Sequence, residues 1–311
     1  MKKFWFDPFY FFQKKTMKIH LHPTNFIPLL AIPAALAFSG VGFQLSPYTS
    51  WILAGMLFFS FLGLRAKDLL PAIQRPSKVL IAVTMILIVS PIVVYPFAKL
   101  LFPDFFLGAM LFMMLPAAVS SPAVAAIYGG NVGLATVDAV VSNLLSIITI
   151  PLFFGWIAHE SVQMDSLPIL RQMLWVILLP FALGMLGNHW LPKAAKAIHR
   201  HNRMINLFLL FFLFFAAFSP HIHNMIDSFR NFHLILALVV THTLLHLLAK
   251  VDTWRSKNEA DKVGILCNMV LPNVGLGVVL AQHYLDSPAL MFILLSEVVW
   301  VVVVGFIHYL K

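Results

Sequence analysis

The sequence predicts an all-α integral membrane protein of about ten transmembrane helices, arranged as two inverted five-helix repeats. Three observations carry this expectation. The 311 residues are 60% hydrophobic and 11% charged, more apolar surface than a soluble fold can use. The apolar residues fall into stretches long enough to cross a bilayer, and the charges fall into the gaps between them. Each half of the chain also holds one apolar stretch that proline and glycine interrupt near its middle.

Residues 1–25 open with MKKFWFDPFYFFQKK, which alternates lysine and aromatic residues without the apolar core of a cleavable leader. It reads as a cytoplasmic tail lying on anionic headgroups. A window of membrane-spanning length then finds spans 1 to 10 at 26–44, 48–64, 79–102, 107–128, 132–157, 168–190, 204–221, 231–250, 262–284 and 287–309. The first five form one expected repeat, residues 26–157, and the last five the other, residues 168–311. Five is odd, so the second set starts from the opposite face.

If the amino terminus is cytoplasmic, eighteen of the 21 lysines and arginines lie in inner segments, and only Lys99, Arg171 and Arg230 lie outside. Such a bias orients a membrane protein. It places both termini in the cytoplasm and points to the inner membrane. It also accounts for the formal net charge of +9 with membrane lipid as the partner and no nucleic acid. Cys267 is the one cysteine, so no internal disulfide is available.

Span 4 is broken by Pro116 and Pro122 around Ser120 and Ser121, followed by Gly129 and Gly130. Span 9 is broken by Pro272 between Asn268 and Asn273, followed by Gly275 and Gly277. A proline removes one backbone hydrogen bond and clashes with the preceding turn. In lipid the freed carbonyls need protein or water, so such breaks persist only where they are shielded or line a cavity. Paired interruptions at matching positions of two halves point to a transport site near the bilayer midplane. Spans 5 and 10 each carry one acid in their first half, Asp138 and Glu297, and intramembrane carboxylates usually mark an ion or substrate route.

At this point the chain resembles the bile acid:sodium symporter superfamily, and more loosely the auxin-efflux-carrier-like transporters. The likeness rests on FFSFLGLRAKDLLPAIQRPSKVL at the end of span 2, LPAAVSSPAVAAIYGGNVGLATVDAVVSNLLSIITIPLF across spans 4 and 5, LPFALGMLGNHWLP in span 6 and NMVLPNVGLGVVLA in span 9. The resemblance implies a panel of helices 1, 2, 6 and 7 moving against a core of 3 to 5 and 8 to 10. In it, helices 4 and 9 cross at the site, and an organic anion is coupled to sodium. Ser121 matches a sodium-site serine of helix 4 and Asn273 an asparagine of helix 9. Pro122 stands where the family usually has Asn, Asn268 where it has a ligating Glu, and Pro272 where it has Gln. Ala135 and Ala139 replace two hydroxyl residues. Losing an acid and several oxygens weakens a site for a hard cation.

The residues divide into two candidate groups. Ser120, Ser121, Asn268 and Asn273, with Pro116, Pro122 and Pro272, form the substrate group, because half-helix N-termini present free N–H groups and partial positive charge to an organic anion. The bland alternative is that these small polar residues only permit close helix packing. Asn131 and Asn143 fit that alternative better. Asp138, Ser142, Ser146 and Thr149 share one face of span 5 by their spacing. Asp138 and Ser142 on this stripe, with Glu297, His242 and His246, form the ion-coupling group, and the coupled cation is Na+ or H+. Asp138 could instead be satisfied by water or Lys262 at the cytoplasmic end. Glu297 could either stand in for the acid missing at Asn268 or pair with His242 or His246. These histidines are four apart on one helical face. They could relay protons to Asp138 or Glu297, begin a metal site, or simply pack. No metal set or further cofactor is called for, and His221-x-His223 reads as a solvated pair in an outer loop.

The leading expectation is therefore a secondary transporter that moves a small or amphipathic organic anion across the cytoplasmic membrane by alternating access, not an enzyme. An uncoupled or efflux carrier, an intramembrane enzyme built on Asp138, Glu297 and the histidines, and a non-transporting sensor are the alternatives. Oligomeric state is left open.

Overall fold

The structure is a computed structural model that describes residues 27–64, 74, 76–161, 166–254 and 256–306. The basic, aromatic tail expected at residues 1–25 lies outside these, as do Arg65, Lys67 and Arg75 of the expected first cytoplasmic loop. The described residues are helical almost throughout and contain no strand beyond one isolated bridge. Among the described residues six helices are long and apolar enough to cross a membrane, and shorter apolar helices accompany them.

The helices are α1 (Ile27–Ala37), α2 (Ser39–Leu62), α3 (Pro76–Leu101), α4 (Phe106–Met114), α5 (Ser121–Ile127), α6 (Val132–Ser161) and α7 (Ser166–Trp190). They continue with α8 (Pro192–Phe218), α9 (Ile222–Ser228), α10 (Phe232–Trp254), α11 (Glu259–Val270), α12 (Val274–Tyr284) and α13 (Ser287–Phe306). Span 4 is thus the pair α4 and α5, and span 9 the pair α11 and α12.

Several boundaries differ from the sequence expectation. The first break falls at Phe38, not after residue 44, and α2 passes through a 3-10 turn at Ser46–Tyr48. The basic run Lys193 to Arg203 is the first part of α8, not a loop. A proline at its first position suits a helix start, because its missing N–H would have had no partner there. Residues 219–228 are likewise helical, with His221 half-buried and His223 exposed, where an outer loop was expected. Helices α3 and α7 each widen into a π turn, Met85–Val89 and Leu174–Leu178, just before Pro91 and Pro180. The wider turn fits a helix that must absorb a residue without an N–H.

Contacts gather the helices into two groups. The helices α1, α2, α7 and α8 pack on one another, and α3 to α6 pack with α10 to α13. Glycines set the closest approaches. A Cβ on Gly184 of α7 would lie 2.9 Å from the Leu62 nitrogen of α2, and one on Gly108 of α4 would lie 2.7 Å from the Phe292 Cβ and 2.9 Å from the Ala289 carbonyl of α13. Neither neighbour can yield without moving a helix. Gly108→Val should therefore lower stability by about 3 kcal/mol, the upper range for overpacking. By contrast, Gly40→Ala, whose Cβ would meet nothing within 4 Å, should be neutral or stabilising by about 0.5 kcal/mol. Thermal unfolding of the two purified variants in one detergent measures the contrast.

Candidate functional site

The two broken spans satisfy each other. Between α4 and α5 the chain runs extended from Leu115, and between α11 and α12 it runs through Leu271, Pro272 and Asn273. The Ala118 N–H donates to the Leu271 carbonyl and the Asn273 N–H to the Pro116 carbonyl, both at 2.7 Å, so Ala117 and Pro272 form an antiparallel bridge. Pro272 occupies the position of that bridge that exchanges no hydrogen bond with its opposite residue, so its missing N–H costs nothing there. Such mutual pairing satisfies irregular backbone between apolar helices.

Helix α6 completes it. The Ala117 N–H donates to Ser142 Oγ at 3.2 Å, and Asn143 Nδ2 donates to the Ala117 carbonyl at 2.8 Å. Ser142 Oγ in turn donates to the Ala139 carbonyl. Asn273 caps α12 by accepting the Leu276 N–H on Oδ1 at 3.2 Å, while its Nδ2 donates to Asn143 Oδ1 at 3.2 Å. Asn143 therefore touches both breaks. It was read from sequence as plain packing, and the signal that could have marked it is its place between Ser142 and Ser146 on the polar side of α6.

Behind the crossing lies a second polar chain. Ser121 Oγ donates to Asn268 Oδ1, and Asn268 Nδ2 donates to the Ala135 carbonyl at 3.0 Å and, at 3.5 Å, to Asp138 Oδ2. Ser121, Asp138 and Ser142 are 0% exposed, and Asp138 Oδ1 has no hydrogen-bond partner among the described residues. Ser146 is spent on the Asn143 carbonyl, and Thr149 Oγ1 is buried without a partner. Lys262 does not satisfy Asp138 as the sequence allowed, because it pairs with Glu259 at 2.7 Å.

A cavity of about 1000 Å³ separates the two helix groups. Met56 and Ser60 of α2 and Asn202 and Asn206 of α8 line one side. Ser120, Pro122, Asn143, Pro272, Asn273 and Glu297 line the other. Glu297 is 4% exposed and makes no hydrogen bond or ion pair with any described residue. Of the expected substrate group, Ser120, Pro122, Pro272 and Asn273 face the cavity. Ser121 and Asn268 sit behind it, and Pro116 contributes its carbonyl to the bridge.

The two histidines of α10 bond within their own helix, as the packing alternative expects. His242 Nδ1 bonds to the Leu238 carbonyl at 2.8 Å and its ring lies 4.7 Å from Phe112, while His246 Nδ1 bonds to the His242 carbonyl at 2.6 Å. Each imidazole finds a backbone carbonyl one turn back through Nδ1, neither bonds to Glu297 or Asp138, and His242 Nε2 is buried without a partner among the described residues. No three His, Cys, Asp or Glu side chains gather as a metal site among the described residues.

Sequence reading also missed a knot at the N-terminal end of α11. Asp261, 0% exposed, accepts from Lys78 Nζ at 2.6 Å and from Asn131 Nδ2 at 2.7 Å, and the Asn131 N–H donates to the Ala260 carbonyl. The turn that delivers Asn131 ends α5 through Gly129 at φ 74°, with the Gly130 N–H reaching back to the Ala125 carbonyl, a closure that favours glycine. The visible signal was Asn258 three residues before Asp261, the spacing of a helix cap and its third residue, and Asn258 Oδ1 does accept the Asp261 N–H.

Residues 26–305 match the profile of the SBF-like CPA transporter family. Among curated proteins, the chain is 24% identical over 267 residues, 80% of each chain, to a Bacillus subtilis (strain 168) protein described as uncharacterized sodium-dependent transporter YocS. It is 29% identical over 141 residues to the uncharacterized protein YbaS of the same organism, covering 44% of this chain and 46% of that one. It is also 29% identical over 180 residues to the probable sodium/metabolite cotransporter BASS4, chloroplastic, of Oryza sativa subsp. indica, covering 53% and 41%. The alignments with YbaS and BASS4 thus span less than half the length of either relative.

Proposed function

Because the chain belongs to the SBF-like CPA transporter family, we propose that it is a secondary transporter that moves a small carboxylate-bearing organic anion across the cytoplasmic membrane by alternating access. A cation at Asp138 couples the movement. The observation that carries this reading is the pairing of the two broken spans beside a large cavity, with a buried, half-unpartnered carboxylate directly behind them. The first turn of α12 offers partial positive charge to the carboxylate. Asp138, the Asn268 amide oxygen, the Ser121 hydroxyl and the Ala135 carbonyl supply the oxygens that a hard cation takes. Asp138 alone suffices for a proton.

Residues 26–157 and 168–311 act as the two inverted halves, both termini are cytoplasmic, and helices α1, α2, α7 and α8 move against the rest. The cavity reaches Leu64 and Asn202, each next to an arginine that orients the chain inward, which supports an inward-facing state. That relatives are named for sodium dependence supports coupling. One observation favours the uncoupled alternative: Asn268, in place of a ligating acid, spends its amide on Ser121 and Ala135.

Uptake into proteoliposomes under separate sodium and pH gradients decides between them. A stimulated uptake of a carboxylate under at least one gradient is expected. Counterflow that ignores both gradients means an uncoupled carrier, and no flux of any carboxylate overturns the reading.

A further inference from the structure

Resting on that transport reading, we infer that the substrate is a zwitterion, carrying an ammonium group beside its carboxylate. Glu297 is the only charged side chain lining the cavity among the described residues. It is 4% exposed, and no described residue gives it a hydrogen bond or an opposite charge. No histidine on the helices packed against α13 pairs with Glu297, and His223 of α9 and His233 of α10 are exposed. His242 and His246 bond within α10, and His283 Nδ1 bonds to the Val279 carbonyl at 2.8 Å.

The position of Glu297 is as telling as its isolation. Helices α12 and α13 pack as consecutive elements joined by residues 285 and 286. Gly277 faces Ile293, whose Cγ2 would lie 3.3 Å from a Cβ there. One helical turn toward the crossing from this contact leads to Asn273 on one helix and Glu297 on the other, and both line the cavity. The site therefore sets two unlike groups at one level. The first turn of the eleven-residue α12 presents to an anion the Gly275 N–H, the one amide of that turn without a partner among the described residues, together with the positive end of the helix, and a carboxylate across from it awaits a cation.

A plain carboxylate would bring a second negative charge beside a desolvated one, a like-charge contact that low dielectric makes costly. An amino acid or a quaternary ammonium carboxylate satisfies both groups at once. Selectivity follows from the same arrangement, because a buried charge left without a partner penalises the analogue that lacks the matching group.

The test uses the full-length purified protein and matched probes, each amino acid or betaine paired with the same carbon skeleton lacking nitrogen. Ligand-induced thermal stabilisation and counterflow inhibition are read for wild type, Glu297→Gln and Glu297→Asp. At least one zwitterion should outcompete its nitrogen-free partner by about tenfold or more. Glu297→Gln should erase that preference by weakening the zwitterion alone, and Glu297→Asp should keep it. Retained binding of the plain carboxylate shows that the amide variant is folded. Equal or better binding of the plain carboxylates to wild type overturns the inference and leaves the transporter reading standing. So does a preference unchanged in Glu297→Gln, or a loss of cation coupling without loss of preference. If no member of any pair binds or exchanges, the carboxylate transporter reading itself fails.

Discussion

Asp138→Asn should exchange substrate across the membrane at a rate close to wild type and lose gradient-driven accumulation. In a carrier that moves one monovalent cation per substrate, a tenfold cation gradient supplies about 1.4 kcal/mol and supports about tenfold accumulation. The variant should stop at a ratio of about 1, because no cation is bound and released with the cycle. Folding should survive. The amide oxygen can still accept from Asn268 Nδ2, which now reaches Asp138 Oδ2 at 3.5 Å, and an uncharged group is easier to bury than a carboxylate with an unpartnered oxygen. Accumulation and counterflow, measured on the same proteoliposomes, separate coupling from transport. Accumulation equal to wild type would move the coupling site away from Asp138.

The breaks at Pro116, Pro122 and Pro272 were legible because proline in an apolar span has few physical outlets, and the structure shows the outlet taken: two short extended links that exchange backbone hydrogen bonds. The acids Asp138 and Glu297 were equally visible, but not their different settings. Spacing along a helix tells which residues share a face, and Asp138 does share one with Ser142 and Ser146. It does not tell which neighbour that face meets, so Asp138 behind the crossing and Glu297 in the cavity looked equivalent. The histidines were equally visible, and spacing left their role open between relay, metal site and packing. In the fold each Nδ1 bonds to the carbonyl four residues back on its own helix, a local bond that needs no partner element. The asparagines at 131 and 143 were passed over as packing residues, since an amide carries no charge to draw attention in a membrane sequence. In the fold each joins helices distant in sequence.

Asn143→Ala is accordingly the substitution expected to do most damage. The side chain donates to the Ala117 carbonyl at 2.8 Å and the Ala139 carbonyl at 2.7 Å, and accepts from Asn273 Nδ2 at 3.2 Å, while 1% exposed. The Ala139 carbonyl still receives the Ser142 hydroxyl, but the Ala117 carbonyl and the Asn273 amide would be left buried without these partners. Two such groups cost about 2 to 4 kcal/mol together, and the loss falls on the segment that cannot fall back on helix hydrogen bonds. Both melting temperature and exchange should therefore drop, in contrast to Asp138→Asn, where only driven accumulation is lost. The reason is positional: freeing Ala117 and Asn273 loosens the two links against each other, and the anion-facing turn of α12 begins at Asn273. Thermal unfolding in detergent with counterflow in liposomes tests the pair of effects. A variant that melts within about 0.5 kcal/mol of wild type and exchanges normally would reduce Asn143 to a packing residue and leave the crossing held by its two backbone bonds alone.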